Sequence, residues 1–178
     1  MNLKFKSATA RLFMYFFTLA VVGTALFQIP IFYSSKQQIP LIDALFTTIS
    51  AICVTGLSTV DMSVFSSAGF VLLMLLIEAG GFGLVAFFTI YLVFSSGKVS
   101  LINRNIIKDY FTEDAEVEAK GILFRILGIT FSVQALGALF LAIFLRNSGE
   151  QNYIFYGIFL SISAFCNAGF SPYSDSLA

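Results

Sequence analysis

The stretch Ile49-Ser-Ala-Ile-Cys-Val-Thr-Gly-Leu-Ser58 returns 113 residues later as Ile162-Ser-Ala-Phe-Cys-Asn-Ala-Gly-Phe-Ser171, with Ile, Ser, Ala, Cys, Gly and the closing Ser aligned without a gap. Each copy follows a long apolar segment and then a short half-polar one. A Gly-bearing loop used twice in so apolar a chain predicts a pore built from quasi-symmetric units, because irregular backbone at membrane depth survives only where it is buried or lines a cavity. The plainer reading, a packed Gly-containing turn between helices, accounts for one such loop more easily than for two matching copies.

The surroundings have the composition of a membrane protein. Of 178 residues, 58% are hydrophobic and only 11% charged, 22 are Phe, and the mean hydropathy is +0.90. Net charge is zero and no basic cluster is interleaved with aromatics, which excludes a nucleic-acid partner. Without a single His, and with Cys53 and Cys166 at equivalent places in the two loops, tetrahedral metal sites and His-based catalysis are hard to build. Equivalent positions on opposite sides of a pore would also stand beyond the ~7 Å Cα limit for a disulfide. Both Cys are therefore read as small packing residues. There is no His-Glu-x-x-His pattern and no Asp within a full span, so an enzyme is not expected.

Three segments are long enough to cross a bilayer, which takes about 20 apolar residues. They are Leu12–Phe32, about Ser67–Phe94, and Ile122–Leu145. The basic start before Leu12 has the outline of a signal peptide, but Leu12 to Tyr33 is 22 uncharged residues without a small-residue cleavage pattern, and is read as a retained span. Between the first two spans, Leu41, Leu45, Ile49 and Ile52 have helical spacing and predict a half-length helix, followed by a polar tail that climbs back out. The pattern restarts after the third span with a loop at Arg146–Asn152, a half-helix at Tyr153–Phe165 and a tail at Cys166–Tyr173. The expected fold is an all-α membrane protein of repeated helix–pore loop–helix units, with three spanning helices and two re-entrant half-helices. Residues 1–97 form the first repeat, 98–121 a linker, and 122–178 a second repeat cut off before its last helix.

Charge sets the expected orientation. Lys4, Lys6 and Arg11 precede the first span, and Lys98, Arg104, Lys108 and Lys120 lie in the Ser95–Gly121 loop, against Lys36 and Arg146 on the other side. The positive-inside rule then makes the N-terminus and this loop cytoplasmic, in a multi-pass protein of the cell inner (plasma) membrane, and both half-helices enter from outside. The acids Asp109, Glu113, Asp114, Glu116 and Glu118 of the same loop read as a solvated linker, with docking of a cytosolic partner as the alternative.

A dehydrated monovalent cation recovers its hydration energy from closely spaced oxygens, and rings of backbone carbonyls supply them without fixed charge. Gly56 and Gly169, at the same place in both copies, are where the unusual backbone angles would fall. Half-helices running inward turn the negative ends of their dipoles toward the membrane centre, which favours a cation. Neither Val54–Ser58 nor Asn167–Ser171 contains an acid, which argues against a divalent-selective ring.

With Thr47-Thr-Ile-Ser-Ala-Ile-Cys-Val-Thr-Gly-Leu-Ser58, Leu76-Ile-Glu-Ala-Gly-Gly-Phe-Gly-Leu84, Gln134-Ala-Leu-Gly-Ala-Leu139 and Ser163-Ala-Phe-Cys-Asn-Ala-Gly-Phe170, the chain resembles the Trk/Ktr/HKT potassium-transporter family, as the N-terminal part of its pore-forming subunit. The resemblance implies four helix–pore loop–helix repeats in one polypeptide, passive gated conduction of K⁺ or Na⁺, a homodimer and a cytosolic nucleotide-binding regulatory ring. It implies a first filter quarter at Val54, Thr55, Gly56 and Leu57, and a second at Asn167, Ala168, Gly169 and Phe170. Gly at both key positions goes with K⁺ in that family, and Ser at the first with Na⁺. K⁺ is then the transported ion, with lipid and the remaining repeats of the same protein as partners and no cofactor. Two quarters cannot encircle an ion, so the chain reads as part of a larger pore. The alternatives are a Na⁺-conducting or Na⁺-coupled carrier with broken helices, or a non-conducting membrane subunit.

Two positions depart from the family pattern. Glu78 stands where the family usually has Gln, and Gln134 where it usually has Glu. An ionised acid in the middle of a span costs ~2.5–3.5 kcal/mol or more unless paired or wetted. Glu78 is therefore either near ions or water, or hydrogen-bonded behind a pore loop. Gly80, Gly81 and Gly83 let another backbone come close, for packing or as a hinge.

Overall fold

The computed structural model describes residues 8–34, 38–96 and 111–173. Among them it holds five α-helices and no strand: α1 (Ala8–Leu26), α2 (Leu41–Ile52), α3 (Ser67–Ser96), α4 (Phe111–Asn147) and α5 (Tyr153–Phe165). Most of the basic residues used for orientation (Lys4, Lys6, Lys36, Lys98, Arg104 and Lys108) and Asp109 lie outside the described residues.

The two half-helices fall on the ranges that the apolar spacing predicts. The first long helix stops earlier than expected, at Leu26 rather than Phe32. Pro30 has no N–H to donate and disfavours helical geometry in Ile29 before it. The chain tightens into short-range bonds there, Gln28 N–H to Ala25 O at 3.1 Å and Ile29 N–H to Leu26 O at 2.9 Å, and continues as a single 3₁₀ turn at Pro30–Phe32. The Tyr33 hydroxyl donates to the Phe27 carbonyl and satisfies one of the acceptors left open at that end. The fourth helix differs the other way: it begins at Phe111, well ahead of Ile122, so the second half of the expected linker is helical.

The chain divides into two compact units, one of residues up to Gly81 together with those from Gln134 onward, the other of Phe82–Val133. In the second unit the Phe82 and Phe131 rings meet at 5.7 Å, and the Ser132 hydroxyl bonds back to the Gly128 carbonyl one turn earlier at 2.7 Å.

The first unit carries both copies of the repeated stretch. Its centre is aromatic and fully covered, with Phe27 against Phe65 at 5.4 Å and Phe70 edge-on to Phe159 at 5.0 Å. The helices cross on small residues. A Cβ at Gly80 would lie 2.0 Å from the Ile52 carbonyl oxygen, so α3 presses on the last residue of α2; a Cβ at Gly157 of α5 would lie 2.9 Å from the Ala142 nitrogen and 3.0 Å from the Ala138 carbonyl oxygen of α4, a close but less severe approach. Such close backbone approach is how helices associate where lipid offers no hydrophobic drive. The tail after the first loop is tied down at several points. Thr59 donates to Asp43 in the first turn of α2 at 2.6 Å, Asp61 caps the Met62–Val64 turn, and Ser66 N–H reaches the Phe32 carbonyl at 3.0 Å.

Among the described residues, Phe124–Asn147 is long and apolar enough to cross a membrane. Leu136, Phe140 and Phe144, spaced four apart on one face, are 69%, 72% and 62% exposed. An apolar stripe of this kind needs a nonaqueous neighbour.

Candidate functional site

The two repeated stretches end their helices in the same way. After α2, Val54 N–H bonds to Ala51 O at 3.2 Å and Thr55 N–H to Ser50 O at 2.9 Å; after α5, Asn167 N–H bonds to Ala164 O at 3.0 Å and Ala168 N–H to Ser163 O at 2.7 Å. Each pair of bonds is a Schellman motif, which requires a left-handed residue just past the cap. Val54 has φ of +57° and Asn167 of +60°. Two residues later the chain turns left-handed again, at Gly56 (φ +70°) and Gly169 (φ +76°). Every one of these positions is related to its counterpart by the 113-residue offset.

The local causes differ between copies. Asn is among the residues that tolerate the left-handed region, and Gly adopts it freely, but a β-branched Val there is strained. Strain of this kind persists only where the surroundings impose it. Ser50 and Ser163, at the same helical position, each reach the following loop. Ser50 Oγ lies 2.9 Å from Thr55 Oγ1, whereas Ser163 Oγ donates to the Phe170 carbonyl at 2.8 Å. Ala168 has no hydroxyl to offer where Thr55 has one, so the second serine finds a carbonyl instead.

The loops also meet. A Cβ at Gly56 would sit 1.8 Å from the Ala168 carbonyl oxygen and 3.0 Å from the Gly169 carbonyl carbon, and the direction of a Gly169 Cβ points at Gly56 Cα, 3.8 Å away. Of the eight residues expected at the filter, the structure thus brings Gly56 against Ala168 and Gly169. Thr55 and Leu57 of the first loop are exposed, while Ala168 and Phe170 of the second are buried. No basic residue lies in the last turn of α2 or α5, so the negative ends of both helix dipoles face the loops uncompensated.

The two positions that depart from the expected pattern are neighbours. Gln134 Nε2 donates to Glu78 Oε1 at 2.5 Å, across 56 residues of sequence. The carboxylate lies behind the second loop: Gly81, one turn further along α3, faces Cys166 Sγ at 3.5 Å from its Cβ position. Of the glycines expected to allow close approach, Gly80 meets backbone and Gly81 only a side chain at ordinary contact. Sequence reasoning missed the serines that brace the loops, although both lie inside the repeated stretch; the Glu78–Gln134 contact had a signal only in the reciprocal exchange of acid and amide at those two positions, which does not by itself show that they meet.

Residues 3–178 match the family model TrkH, described as a cation transport protein. The chain is similar to the potassium/sodium uptake protein NtpJ of Enterococcus hirae, 35% identical over 91% of this chain and 36% of that protein. It is also similar to the Ktr system potassium uptake protein B of Vibrio alginolyticus, 35% identical over 87% and 34%, and to that of Bacillus subtilis, 33% identical over 91% and 36%. It spans about a third of the length of these relatives. The resemblance drawn from the loop and helix motifs is thus shown, and the chain belongs to the TrkH family of cation transport proteins, membrane transporters and not enzymes.

Proposed function

We propose that this chain supplies two quarters of a K⁺-selective filter, Val54–Leu57 and Asn167–Phe170, in the pore of a passive, gated uptake system. The observation that carries the proposal is the duplicated backbone: two half-helices closed by the same motif, each followed by left-handed residues at matching positions, with the loops in contact at Gly56. Alternating left-handed and ordinary residues turn successive carbonyls toward one side, which a strand cannot do, and a ring of such carbonyls replaces the hydration shell of a monovalent cation. The C-terminal ends of α2 and α5 add negative potential at the same place. Phe170 closes its quarter, with its carbonyl committed to Ser163 and its ring buried.

In this proposal α1, α3 and α4 span the membrane, the N-terminus is cytoplasmic, and the repeats are residues 1–97 and 122–178 joined by the linker 98–121. Further repeats complete the ring. As the family resemblance implies, the whole protein works as a homodimer with a cytosolic nucleotide-binding ring, and this chain needs no cofactor. K⁺ sheds its water at the outer mouth and moves inward on the membrane potential, worth ~2.3 kcal/mol per charge per 100 mV. NtpJ is named for both potassium and sodium, and a sodium transporter HKT1 of Arabidopsis thaliana is 26% identical over 76% of this chain, so Na⁺ is the second reading. Gly at both key positions favours K⁺. The test is growth of K⁺-uptake-deficient bacteria carrying the complete gene, with K⁺ and Na⁺ fluxes measured side by side. Rescue with K⁺ flux above Na⁺ flux is expected; no rescue despite membrane insertion refutes the proposal.

A further inference from the structure

Behind the second loop, three helices are joined through one residue, Gln134. Glu78 of α3 accepts from Gln134 of α4 at 2.5 Å, and the backbone carbonyl of Gln134 accepts from Ser161 Oγ of α5 at 2.7 Å. Gln134 and Ser161 are both buried, and there is no slack around them: a Cβ at Gly137, one turn on from Gln134, would lie 2.6 Å from Ser161 Oγ. Ser161 stands two residues before Ser163, whose hydroxyl holds the Phe170 carbonyl and whose carbonyl takes the Ala168 N–H. Cys166, the C-cap of α5, has its Sγ 3.5 Å from where a Cβ on Gly81 of α3 would stand. The last turns of α5 are therefore lodged against both α3 and α4, and the Glu78–Gln134 bond ties those two helices at that level.

We infer that Glu78 is a positioning residue for the second filter loop, acting through Gln134 and Ser161; the inference rests on the filter reading above. The contact uses Oε1 as an acceptor, and the second oxygen, Oε2, is buried with no hydrogen-bond partner. What the device needs is therefore an acceptor oxygen at position 78, not a second anchored oxygen. An amide at 78 meets that need, and exchanging the two side chains keeps one acid and one amide in contact. A residue without an acceptor strands the buried Gln134 amide and loosens α4, on which Ser161 of α5 is anchored, from α3.

The test uses the full-length protein, with Glu78→Gln, Glu78→Leu and the exchange E78Q/Q134E compared at matched membrane abundance. Glu78→Gln and the exchange are expected to keep the K⁺-to-Na⁺ flux ratio within about two-fold of wild type, and Glu78→Leu to lower it roughly five-fold or more, since one buried hydrogen bond is lost with its partner left unpaired. A wild-type ratio in Glu78→Leu overturns the inference. So does a Glu78→Gln effect as large as that of Glu78→Leu, which would assign the role to the charge. If Glu78→Leu does not reach the membrane, Ser161→Ala decides: a ratio lowered in the same direction supports the inference, and an unchanged ratio overturns it. Hydrogen exchange at the Ala168 amide gives a readout independent of transport. It is expected to quicken in Glu78→Leu and not in Glu78→Gln, so a protein that carries no K⁺ would refute the filter reading while leaving the loop's support measurable.

Discussion

Alanine at Gly56 and alanine at Gly169 are the same change at equivalent positions, yet they should differ sharply. Both residues lie in the left-handed region, at φ of +70° and +76°, where an L side chain costs about 1–2 kcal/mol. That common cost corresponds to a factor of about 5–30 in the population of the native loop. Only Gly56 meets a second obstacle. Its Cβ would fall 1.8 Å from the Ala168 carbonyl oxygen, and relief to a tolerable 3.0 Å requires an opening of 1.2 Å between the loops. The Ala168 carbonyl belongs to backbone whose neighbouring N–H is held by Ser163 at 2.7 Å, so it cannot swing aside alone. At Gly169 the nearest atom is Gly56 Cα at 3.8 Å, an ordinary contact. Rubidium uptake by K⁺-uptake-deficient cells carrying the full-length protein, normalised to membrane abundance, measures both variants. Gly169→Ala should retain uptake reduced by no more than about 30-fold, and Gly56→Ala should fall to background. Equal losses, or a greater loss at Gly169, would refute the packing of the first loop on the second.

Other outcomes follow from single contacts. Val54→Gly removes a β-branched side chain from a left-handed position and should stabilise the protein by about 1 kcal/mol after the extra entropy of Gly is counted, seen as a higher thermal midpoint in detergent. Val54→Asn should act in the same direction, and a lower midpoint in both would contradict the strain. Gly80→Ala drives a methyl into the Ile52 carbonyl at 2.0 Å and should destabilise by about 1–3 kcal/mol or more, read from the same melting curve. Asp61, in the tail outside the helices, accepts the Ser63 N–H at 2.7 Å, and that bond holds its carboxyl below its ordinary value of 3.8. A depressed carboxyl stabilises above its unfolded pKa and loses that contribution as pH falls through its lower folded value. Exchange at the Ser63 amide should therefore be protected at neutral pH and lose protection below about pH 4, and the variant Asp61→Ala should show no such pH step.

The half-helices were legible because each carries its own period: Leu41, Leu45, Ile49 and Ile52 for the first, and an apolar run between Asn152 and Cys166 for the second. Their ends were legible from the repeat, since two different sequences stop at the same place only if the same geometry stops them. The end of α1 was written in Pro30 but outweighed by the apolar run around it. The left-handed Val54 was hidden because Val gives the opposite local signal, and only its equivalence to Asn167 could have exposed it. The start of α4 at Phe111 was masked by charge, which marks a helix exposed to water as readily as a loop. Contacts between distant elements, Glu78 with Gln134 and Gly56 with Ala168, depend on packing that no single stretch encodes.

The central claim is that the Gly56 and Gly169 loops hold a dehydrated cation. Anomalous scattering from rubidium, collected on crystals of the full-length protein grown in rubidium and again in sodium, locates such an ion directly. The expected result is a rubidium peak coordinated by carbonyls from Val54–Leu57 and Asn167–Gly169, absent in sodium. Rubidium bound elsewhere, with both loops packed into closed protein, would contradict it.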